Sequence, residues 1–325
     1  MRNWSSLLAL MLAASAAAQD PLNISTQPAL TMGGDKYRFT ANARLVVLPV
    51  SVTAPGGKLI TDLPQQAFGV FENGIRQRIT VFEQEDVPVS MGVLIDNSGS
   101  MFQKLEDAQS AAATVVRASN PHDEVFIVNF SEQSSVDTQF TSDIERMEAG
   151  LAHIDSRGNT ALRDAISNSI DYLVNKGKKD KKLLLVITDG EDNHSSITLE
   201  QLVNKARQTE TLIYAIGLLS VHERLEAKKA QRGLEQLTTA SGGIAYYPRG
   251  EKQVTQMSLR VAHEVRNQYT IGYSPGIPSL DGSFRKIEVV VNGVGANTRV
   301  RTRSGYYAMP DAHLGPHPSS GGFNN

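Results

Sequence analysis

The sequence predicts an α/β fold: a doubly wound, mostly parallel sheet with helices on both faces, plus a smaller β-rich module. In the middle of the 325-residue chain, short apolar runs alternate with segments whose apolar residues recur at helical spacing, as in parallel sheets covered by helices. The runs Met91–Ile95 and Leu183–Ile187 are apolar throughout, which is typical of buried parallel strands. Strand patterns without intervening helices occupy both ends of the chain, so we expect the two ends to form one β module.

Composition is that of an ordinary globular protein. Hydrophobic residues make up 40% of the chain and charged residues 20%, and the formal net charge is -2. This charge gives no indication of a basic face for nucleic acid. The lysine-rich stretch 176–182 lies between a predicted helix and a strand, and we interpret it as a solvated loop. The absence of cysteine excludes disulfides, thiolate metal sites and cysteine nucleophiles.

Residues 1–18 are predicted to be a signal peptide. Arg2 supplies a positive charge, Leu7–Ala14 an apolar core, and Ala16-Ala17-Ala18 the small residues of a cleavage site. The apolar core is shorter than the roughly 20 residues that span a bilayer, and no other stretch is apolar enough. We expect a bacterial protein that is exported to the periplasm, cell surface or medium, without a transmembrane segment after cleavage. An uncleaved anchor is the alternative.

Residues 27–86 are predicted to form an N-terminal β-rich segment. Ala43–Thr53 alternates and is rich in β-branched residues. Phe68–Glu72 and Gln77–Phe82 flank Asn73-Gly74, which is a hairpin signal. No chemistry is visible in this segment, so we interpret it as a structural module or a presentation platform.

Residues 87–267 are predicted to form the α/β domain, in which strands and helices alternate after the strand that ends at Asp96. The predicted helices are Phe102–Ser119, Ile144–Ile154, Ala161–Val174, Leu199–Gln208, Glu223–Ala240 and Gln253–Asn267. The further predicted strands are Glu124–Phe130, Val136–Phe140 at an edge, Leu183–Ile187, Leu212–Ile216 and Ile244–Tyr247.

The last part of the chain, 268–307, is predicted to return to strands, at Gln268–Tyr273, Arg285–Val291 and Thr298–Thr302. Because these strands follow the last helix, we expect them to pack with segment 27–86. Residues 308–325 are rich in glycine, proline and asparagine and are predicted to be a disordered tail.

Oxygen-bearing side chains collect where the apolar run Met91–Ile95 ends. Asp96, Ser98 and Ser100 stand at every second position, and Gly99 allows the backbone to turn sharply. In open α/β sheets, ligands bind beyond the carboxyl ends of the strands. One carboxylate and two hydroxyls at such an edge predict a site for a ligand that prefers hard oxygen donors.

The D-x-S-x-S spacing resembles the metal-ion-dependent adhesion site of von Willebrand factor A (VWA) domains, the fold shared by integrin inserted domains and many bacterial secreted proteins. That family's pattern also requires a threonine in a later loop and an aspartate at the end of a later strand. Here Thr160 and Asp189 stand in those places. The flanking β segments, with FENG and GYSP, resemble those of a secreted bacterial, notably acidobacterial, group.

The resemblance implies a Rossmann-like VWA domain whose metal site consists of Asp96, Ser98, Ser100, Thr160 and Asp189. In the family, one coordination position stays open and is filled by a carboxylate from a partner protein. We therefore expect an adhesion or interaction module whose partner presents an Asp or Glu side chain. The resemblance also suggests that movement of the last helix of the domain could be passed to the β module.

The predicted ligands determine which ion is expected. Asp96 and Asp189 offset a charge of +2, and the three hydroxyls supply neutral oxygens. Without histidine or cysteine in the set, Zn²⁺ is disfavoured. Ca²⁺ takes about six to eight oxygens, so Mg²⁺ is expected first, with Mn²⁺ and Ca²⁺ as alternatives. Because both aspartates stand at the edge of the sheet, we expect alanine at either position to abolish metal binding with little unfolding.

A purely structural interpretation of these residues is the first alternative. Ser98 and Ser100 would cap the helix that follows them, Thr160 would cap the helix Ala161–Val174, and Asp189 would be a turn residue.

An enzyme is the second alternative: a Mg²⁺-dependent hydrolase or phosphatase-like protein using Asp96. Phosphatases of the haloacid-dehalogenase type place a second aspartate where this chain has Ser98, and the first glycine of G-x-S-x-G is missing. His263 and Glu264 lack the second histidine of zinc proteases, and we interpret them as helix surface. We therefore expect a protein that is not an enzyme.

Overall fold

The structure is a computed structural model that describes residues 45–84, 86–151, 156–220, 224–276 and 280–309. The predicted signal peptide 1–18, the start of the N-terminal segment and nearly all of the predicted tail 308–325 lie outside these residues. Within them, no helix combines the length and the apolar character that a membrane crossing requires.

Strands and helices alternate in the middle of the described chain, and strands alone occupy its two ends. The strands are β1 (Val46–Thr53), β2 (Phe68–Glu72), β3 (Ile75–Gln77), β4 (Ile79–Glu83), β5 (Val89–Asp96), β6 (Glu124–Phe130), β7 (Ser134–Thr141), β8 (Lys181–Thr188), β9 (Leu212–Gly217), β10 (Ala245–Tyr246), β11 (Tyr269–Tyr273), β12 (Phe284–Val291), β13 (Arg299–Arg301) and β14 (Gly305–Tyr307). The α-helices are α1 (Leu105–Arg117), α2 (Ile144–Leu151), α3 (Leu162–Lys176), α4 (Leu199–Thr209), α5 (Arg224–Ser241) and α6 (Glu251–Arg266).

A six-stranded sheet lies at the centre of the α/β domain, in the order β10-β9-β8-β5-β6-β7. All neighbouring strands are parallel except β7, which pairs antiparallel with β6 at one edge. The predicted fold class is confirmed. The predicted helix from Phe102 begins later, at Leu105, because Gly99–Lys104 forms a 3₁₀ turn.

Helices cover both faces of this sheet. Successive residues of β5 point to opposite faces, so Val93 and Ile95 join a core with α1, α2 and α6, whereas Leu94 joins the core with α3, α4 and α5. All eight residues of β5 are buried. Burying each large aliphatic side chain contributes about 1.5–3 kcal/mol, and this fixes the position of the polar loop that follows Ile95.

Two four-stranded sheets form a β-sandwich beside the α/β domain, in the orders β13-β1-β11-β4 and β14-β12-β2-β3. Strands from the two ends of the chain pair antiparallel, β1 with β11 and β2 with β12. The hairpin β2–β3 turns at Asn73 and Gly74, both with positive φ. The predicted strand Gln77–Phe82 is divided, because β4 pairs with β11 in the other sheet. The boundaries 27–86, 87–267 and 268–307 stay predictions.

The interpretation of Glu264 as helix surface is wrong. His263 is exposed, but Glu264, the next residue of α6, is only 3% exposed. Its carboxylate lies 2.5 Å from Arg301 Nη2 of β13 and accepts a hydrogen bond from Ser51 of β1 at 3.0 Å. Tyr214 of β9 donates to the same oxygen at 2.8 Å. Glu264 therefore joins the α/β domain to the sandwich.

The lysine-rich stretch 176–182 is divided between solvent and the protein. Lys176 and Lys178 are exposed, in agreement with a solvated loop. Lys181 begins β8, and its ammonium group donates a hydrogen bond to the backbone carbonyl of Val265 in α6. Lys181 thus contributes to the packing of the last helix.

Candidate metal centre

The predicted ligands lie on loops at the carboxyl-terminal edge of the central sheet. Asp96 is the last residue of β5, and Asp189 follows Thr188, the last residue of the neighbouring strand β8. The strand register pairs Ile95 with Ile187, so Asp96 lies beside Thr188. Thr188 Oγ1 donates to Asp96 Oδ2 at 2.6 Å.

Backbone hydrogen bonds join the loop after β5 to the loop before α3. Gly99 N donates to the carbonyl of Gly158 at 3.0 Å, and Arg157 N donates to the carbonyl of Asn97 at 2.9 Å. The hydroxyl of Ser156 donates to the carbonyl of Ser98. These bonds bring the loop that carries Thr160 to the loop of the two serines.

Asn193 and Asp192, for which the sequence predicts no role, lie in the loop after β8. They hold this loop against Thr160 and against the start of α3. Asn193 Oδ1 accepts from Thr160 N at 2.9 Å, and Asn193 N donates back to the carbonyl of Thr160 at 3.1 Å. Asp192 accepts from the backbone and the guanidinium of Arg163, in the first turn of α3, at 2.8–3.1 Å. Asp192 and Asn193 stand four and five residues after β8. Amide and carboxylate side chains are common at such positions, so only their contacts in the structure reveal their role.

The candidate site is more buried than a sheet edge implies. Asp96 and Ser98 are 0% exposed, Thr160 1% and Asp189 4%, whereas Ser100 is exposed. Both aspartates are therefore buried, although they stand at the edge of the sheet. Alanine at Asp96 would remove the acceptor of two buried hydrogen bonds, from Ser98 N and Thr188 Oγ1, which carries a cost in stability. The small effect expected for this variant stays a prediction.

Burial controls the electrostatics of Asp96. It raises the pKa of this carboxyl to about 7, and the nearby charge of Asp189 acts in the same direction. Hydrogen bonds from Ser98 and Thr188 lower the pKa but only in part compensate for burial. These bonds come from a backbone amide and hydroxyl groups, none of which carries a full charge. A bound cation would remove this imbalance.

Asp189 contacts a cationic side chain. Lys104 Nζ, at the end of the 3₁₀ turn Gly99–Lys104, lies 2.8 Å from Asp189 Oδ2. Ser98 Oγ and Ser100 Oγ are 3.2 Å apart at the start of the same turn. The two hydroxyls are therefore close together. Ser98 caps the 3₁₀ turn, Ser100 lies within it, and Lys104 at its end contacts the predicted ligand Asp189.

The structural alternative fits in part: Asp189 Oδ1 accepts from Glu191 N at 3.3 Å, as a turn residue would, but the predicted helix caps do not form. Ser98 is the N-cap residue of the 3₁₀ turn, but its side chain makes no capping hydrogen bond. The N-cap of α3 is Ala161, not Thr160. The first amides of α3 are capped by Asp192 and by Ser195, whose hydroxyl accepts from Arg163 N at 3.0 Å.

The donor set fits a hard divalent ion. In the part of the chain that the structure describes, no group of three His, Cys, Asp or Glu side chains is arranged to hold a metal ion. A centre here would therefore depend on hydroxyl oxygens beside its two carboxylates. That combination suits Mg²⁺ or Mn²⁺ and is unsuited to Zn²⁺. The predicted ligands Asp96, Ser98, Ser100, Thr160 and Asp189 could hold the ion directly or through water.

Comparison with known proteins gives the class of this domain. Residues 91–191 match the family model of the von Willebrand factor type A domain, so the chain contains a VWA domain at these positions. The matched region begins within β5 and ends in the loop of Asp189, and it includes all five predicted ligands. No curated protein matches the chain. The acidobacterial-type group stays a prediction.

Several solved structures are similar to this chain at low sequence identity. A von Willebrand factor type A protein from Catenulispora acidiphila is 11% identical, with 85% of this chain and 77% of that chain covered and a TM-score of 0.49. The von Willebrand factor domain of a type V pilus tip protein from Porphyromonas gingivalis is 12% identical, covering 55% and 95%, with a TM-score of 0.47. An aerotolerance-related membrane protein from Bacteroides fragilis is 16% identical, covering 55% and 98%, with a TM-score of 0.46.

Proposed function

We propose that this protein is a non-enzymatic, metal-dependent binding module that captures an Asp or Glu side chain of a partner protein. The observation that carries the proposal is the buried Asp96 carboxylate, which accepts hydrogen bonds from the uncharged donors Ser98 N and Thr188 Oγ1. The loops that follow the neighbouring strand ends carry the other four predicted ligands, Ser98, Ser100, Thr160 and Asp189. A bound Mg²⁺ or Mn²⁺ would supply the positive charge that an incoming carboxylate completes.

The surroundings of the candidate site favour a protein partner over a small substrate. Ser100 is exposed, and Phe102, two residues further along the same 3₁₀ turn, is 75% exposed. Two residues of chain span at most about 7 Å, so an aromatic surface lies close to the predicted metal ligands. Aromatic side chains often anchor protein interfaces, and a partner that covers Ser100 would also cover Phe102.

The chain's own residues have distinct parts in this proposal. Asp96 and Asp189 supply fixed negative charge, and Ser98, Ser100 and Thr160 supply neutral oxygens. Asn193 is a positioning residue, because it holds the backbone of Thr160 from both sides. The hydrophobic core around β5 keeps these loops in place, so binding requires little rearrangement of the sheet.

Replacement of Thr160 tests the metal site. We expect Thr160→Val, which removes the hydroxyl from a side chain that is 1% exposed, to weaken Mg²⁺ binding about tenfold or more. Thr160→Ser keeps the hydroxyl and should bind nearly as the wild type does. Isothermal titration with Mg²⁺ measures both affinities. If the wild type binds no divalent ion at millimolar concentrations, the assignment of the site is wrong.

Partner capture separates binding from catalysis. Immobilised protein should retain partners from the exported fraction in Mg²⁺, release them in EDTA, and retain none after Asp96→Asn. Retention that survives both EDTA and Asp96→Asn would place the partner on another surface. Turnover of phosphate or ester substrates that requires Asp96 would instead support the alternative of a Mg²⁺-dependent hydrolase.

Export is part of the proposal and is tested separately. The motivating residues, Arg2 and Ala16-Ala17-Ala18, lie outside the described part of the chain. We expect cleavage after Ala18 and a mature chain that starts at Gln19. Intact-mass spectrometry of the protein from the native host measures this directly. An intact N-terminus on a protein that stays in the cytoplasm would contradict it.

A further inference from the structure

Lys104 contacts the predicted ligand Asp189, and the family pattern does not explain this contact. Its ammonium nitrogen lies 2.8 Å from Asp189 Oδ2, and Asp189 is only 2% exposed in its side chain. Lys104 itself is 23% exposed. The contact is therefore partly shielded from water. Charges in such a shielded position interact more strongly than charges at an open surface.

The position of Lys104 follows from the local fold. The 3₁₀ turn Gly99–Lys104 begins directly after Ser98, and Met101 in this turn is buried in the core beneath the sheet edge. The turn places Ser100 at its start and Lys104 at its end, beside the loop after β8. A six-residue turn with a buried anchor thus fixes the distance between the serine ligands and the ammonium group.

The charge of the centre follows from these groups. Asp96 and Asp189 together offset a divalent ion, so the predicted metal site would be close to neutral on its own. Lys104 leaves one positive charge in excess. On the neighbouring loops, Arg163 pairs with Asp192 at 2.8 Å, and the carboxylate of Glu132 accepts hydrogen bonds from Asn159 N and Nδ2. Among the ion, the two aspartates and the lysine that contacts one of them, Lys104 is the group that gives an acidic partner a net positive charge to approach.

We propose that Lys104 sets the charge balance of this centre: it weakens the binding of the divalent ion and strengthens the binding of a carboxylate to the ion-loaded centre. The first effect arises because the ammonium group competes for Asp189 and repels a second cation. The second arises because attraction of a carboxylate grows with the net positive charge near its binding position. The first part concerns the metal alone, whereas the second rests on the proposed function.

Lys104→Met tests the proposal, because it removes the charge and keeps the length of the side chain. We expect Mg²⁺ affinity, measured by isothermal titration, to rise roughly tenfold. We expect the affinity of the Mg²⁺-loaded protein for the peptide acetyl-Gly-Asp-Gly-amide, measured by NMR titration, to fall about threefold or more. Lys104→Arg should keep both affinities near the wild-type values. A general loss of structure would lower both, so opposite changes are diagnostic.

Lys205→Met is the matched control. Lys205 pairs with Asp171 at 2.6 Å and is 24% exposed, much like Lys104, but it lies on α4 and contacts α3. The Lys205→Met variant should change neither the Mg²⁺ affinity nor the peptide affinity. Unchanged or weaker Mg²⁺ binding in Lys104→Met would overturn the first part of the proposal. Unchanged peptide affinity would overturn the second. The uncharged peptide acetyl-Gly-Asn-Gly-amide is the reference for the wild type. If the Mg²⁺-loaded wild type binds the Asp peptide no better than this Asn peptide, the proposed function fails. The first part of the proposal then still rests on the metal titration.

Discussion

Replacement of Glu264 by alanine is expected to destabilise the protein by about 3–5 kcal/mol, the usual cost of removing one partner of a buried ion pair. Glu264 is 3% exposed and lies 2.5 Å from Arg301. Without it, the guanidinium of Arg301, whose side chain is 19% exposed, would lose its carboxylate partner, and the hydroxyls of Ser51 and Tyr214 would lose their acceptor. The loss should appear in urea unfolding as a lower midpoint.

The reason for so large an effect is that this carboxylate organises the junction of the two parts of the molecule. Its donors come from β1, β9, β10 and β13, that is, from the sandwich and from the central sheet. Burial and the adjacent Glu264 charge raise the pKa of Tyr214 and Tyr246, so both hydroxyls stay protonated and can donate. Gln268 extends the network by donating to Ser51 and Tyr214.

Two further variants make the Glu264 prediction specific. Glu235→Ala changes an exposed glutamate on α5 and should alter the unfolding free energy by less than about 0.5 kcal/mol. The double variant Glu264→Leu with Arg301→Met removes both charges, and it should recover a large part of the loss because no uncompensated charge remains. A loss below about 1 kcal/mol in Glu264→Ala would show that the network does not hold the junction.

Local patterns were sufficient to predict the fold class and most of its elements. The uninterrupted apolar runs at β5 and β8 identified buried parallel strands, and Asn73-Gly74 identified the hairpin, because both signals act over a few residues. The division of Gln77–Phe82 between two sheets was not predictable in this way. It depends on which partner strands are available, and β11, the partner of β4, lies far along the chain.

The candidate site was predictable only to the extent that its residues follow strands. Asp96 and Asp189 end neighbouring strands, so a parallel sheet brings them together. Lys104 and Asn193 contact this site through turns and loops whose paths no short-range pattern determines. Glu264 was misread for a related reason: a glutamate flanked by His263 has the composition of a helix surface, and its burial depends on Arg301 from a strand of the other module.

Asp96→Asn is expected to stabilise the protein in EDTA while it abolishes metal binding. Asparagine would keep an oxygen as the acceptor for Ser98 N and place its amide nitrogen beside Thr188. Unlike aspartate, it would carry no charge at this position, where the Asp96 side chain is 0% exposed. Burial of the Asp96 charge, which raises its pKa from 3.8 to about 7, costs the wild type on the order of 4 kcal/mol above that pH. The variant does not bear this cost, so its melting temperature in EDTA should be several degrees higher at about pH 8.

The pH dependence gives the sign of the Asp96 effect independently. Between 3.8 and about 7 the folded wild type keeps a proton on Asp96 that the unfolded chain has released, so wild-type stability falls as the pH rises through this interval. The advantage of Asp96→Asn should therefore be small near pH 4 and full above about pH 7. Added Mg²⁺ should raise the melting temperature of the wild type alone, since only a form that binds the ion is stabilised by it. Asp62→Asn, at an exposed position, is the control and should change neither the stability in EDTA nor the response to Mg²⁺. If the wild type is at least as stable as Asp96→Asn at about pH 8 in EDTA, the Asp96 charge is compensated within the protein itself.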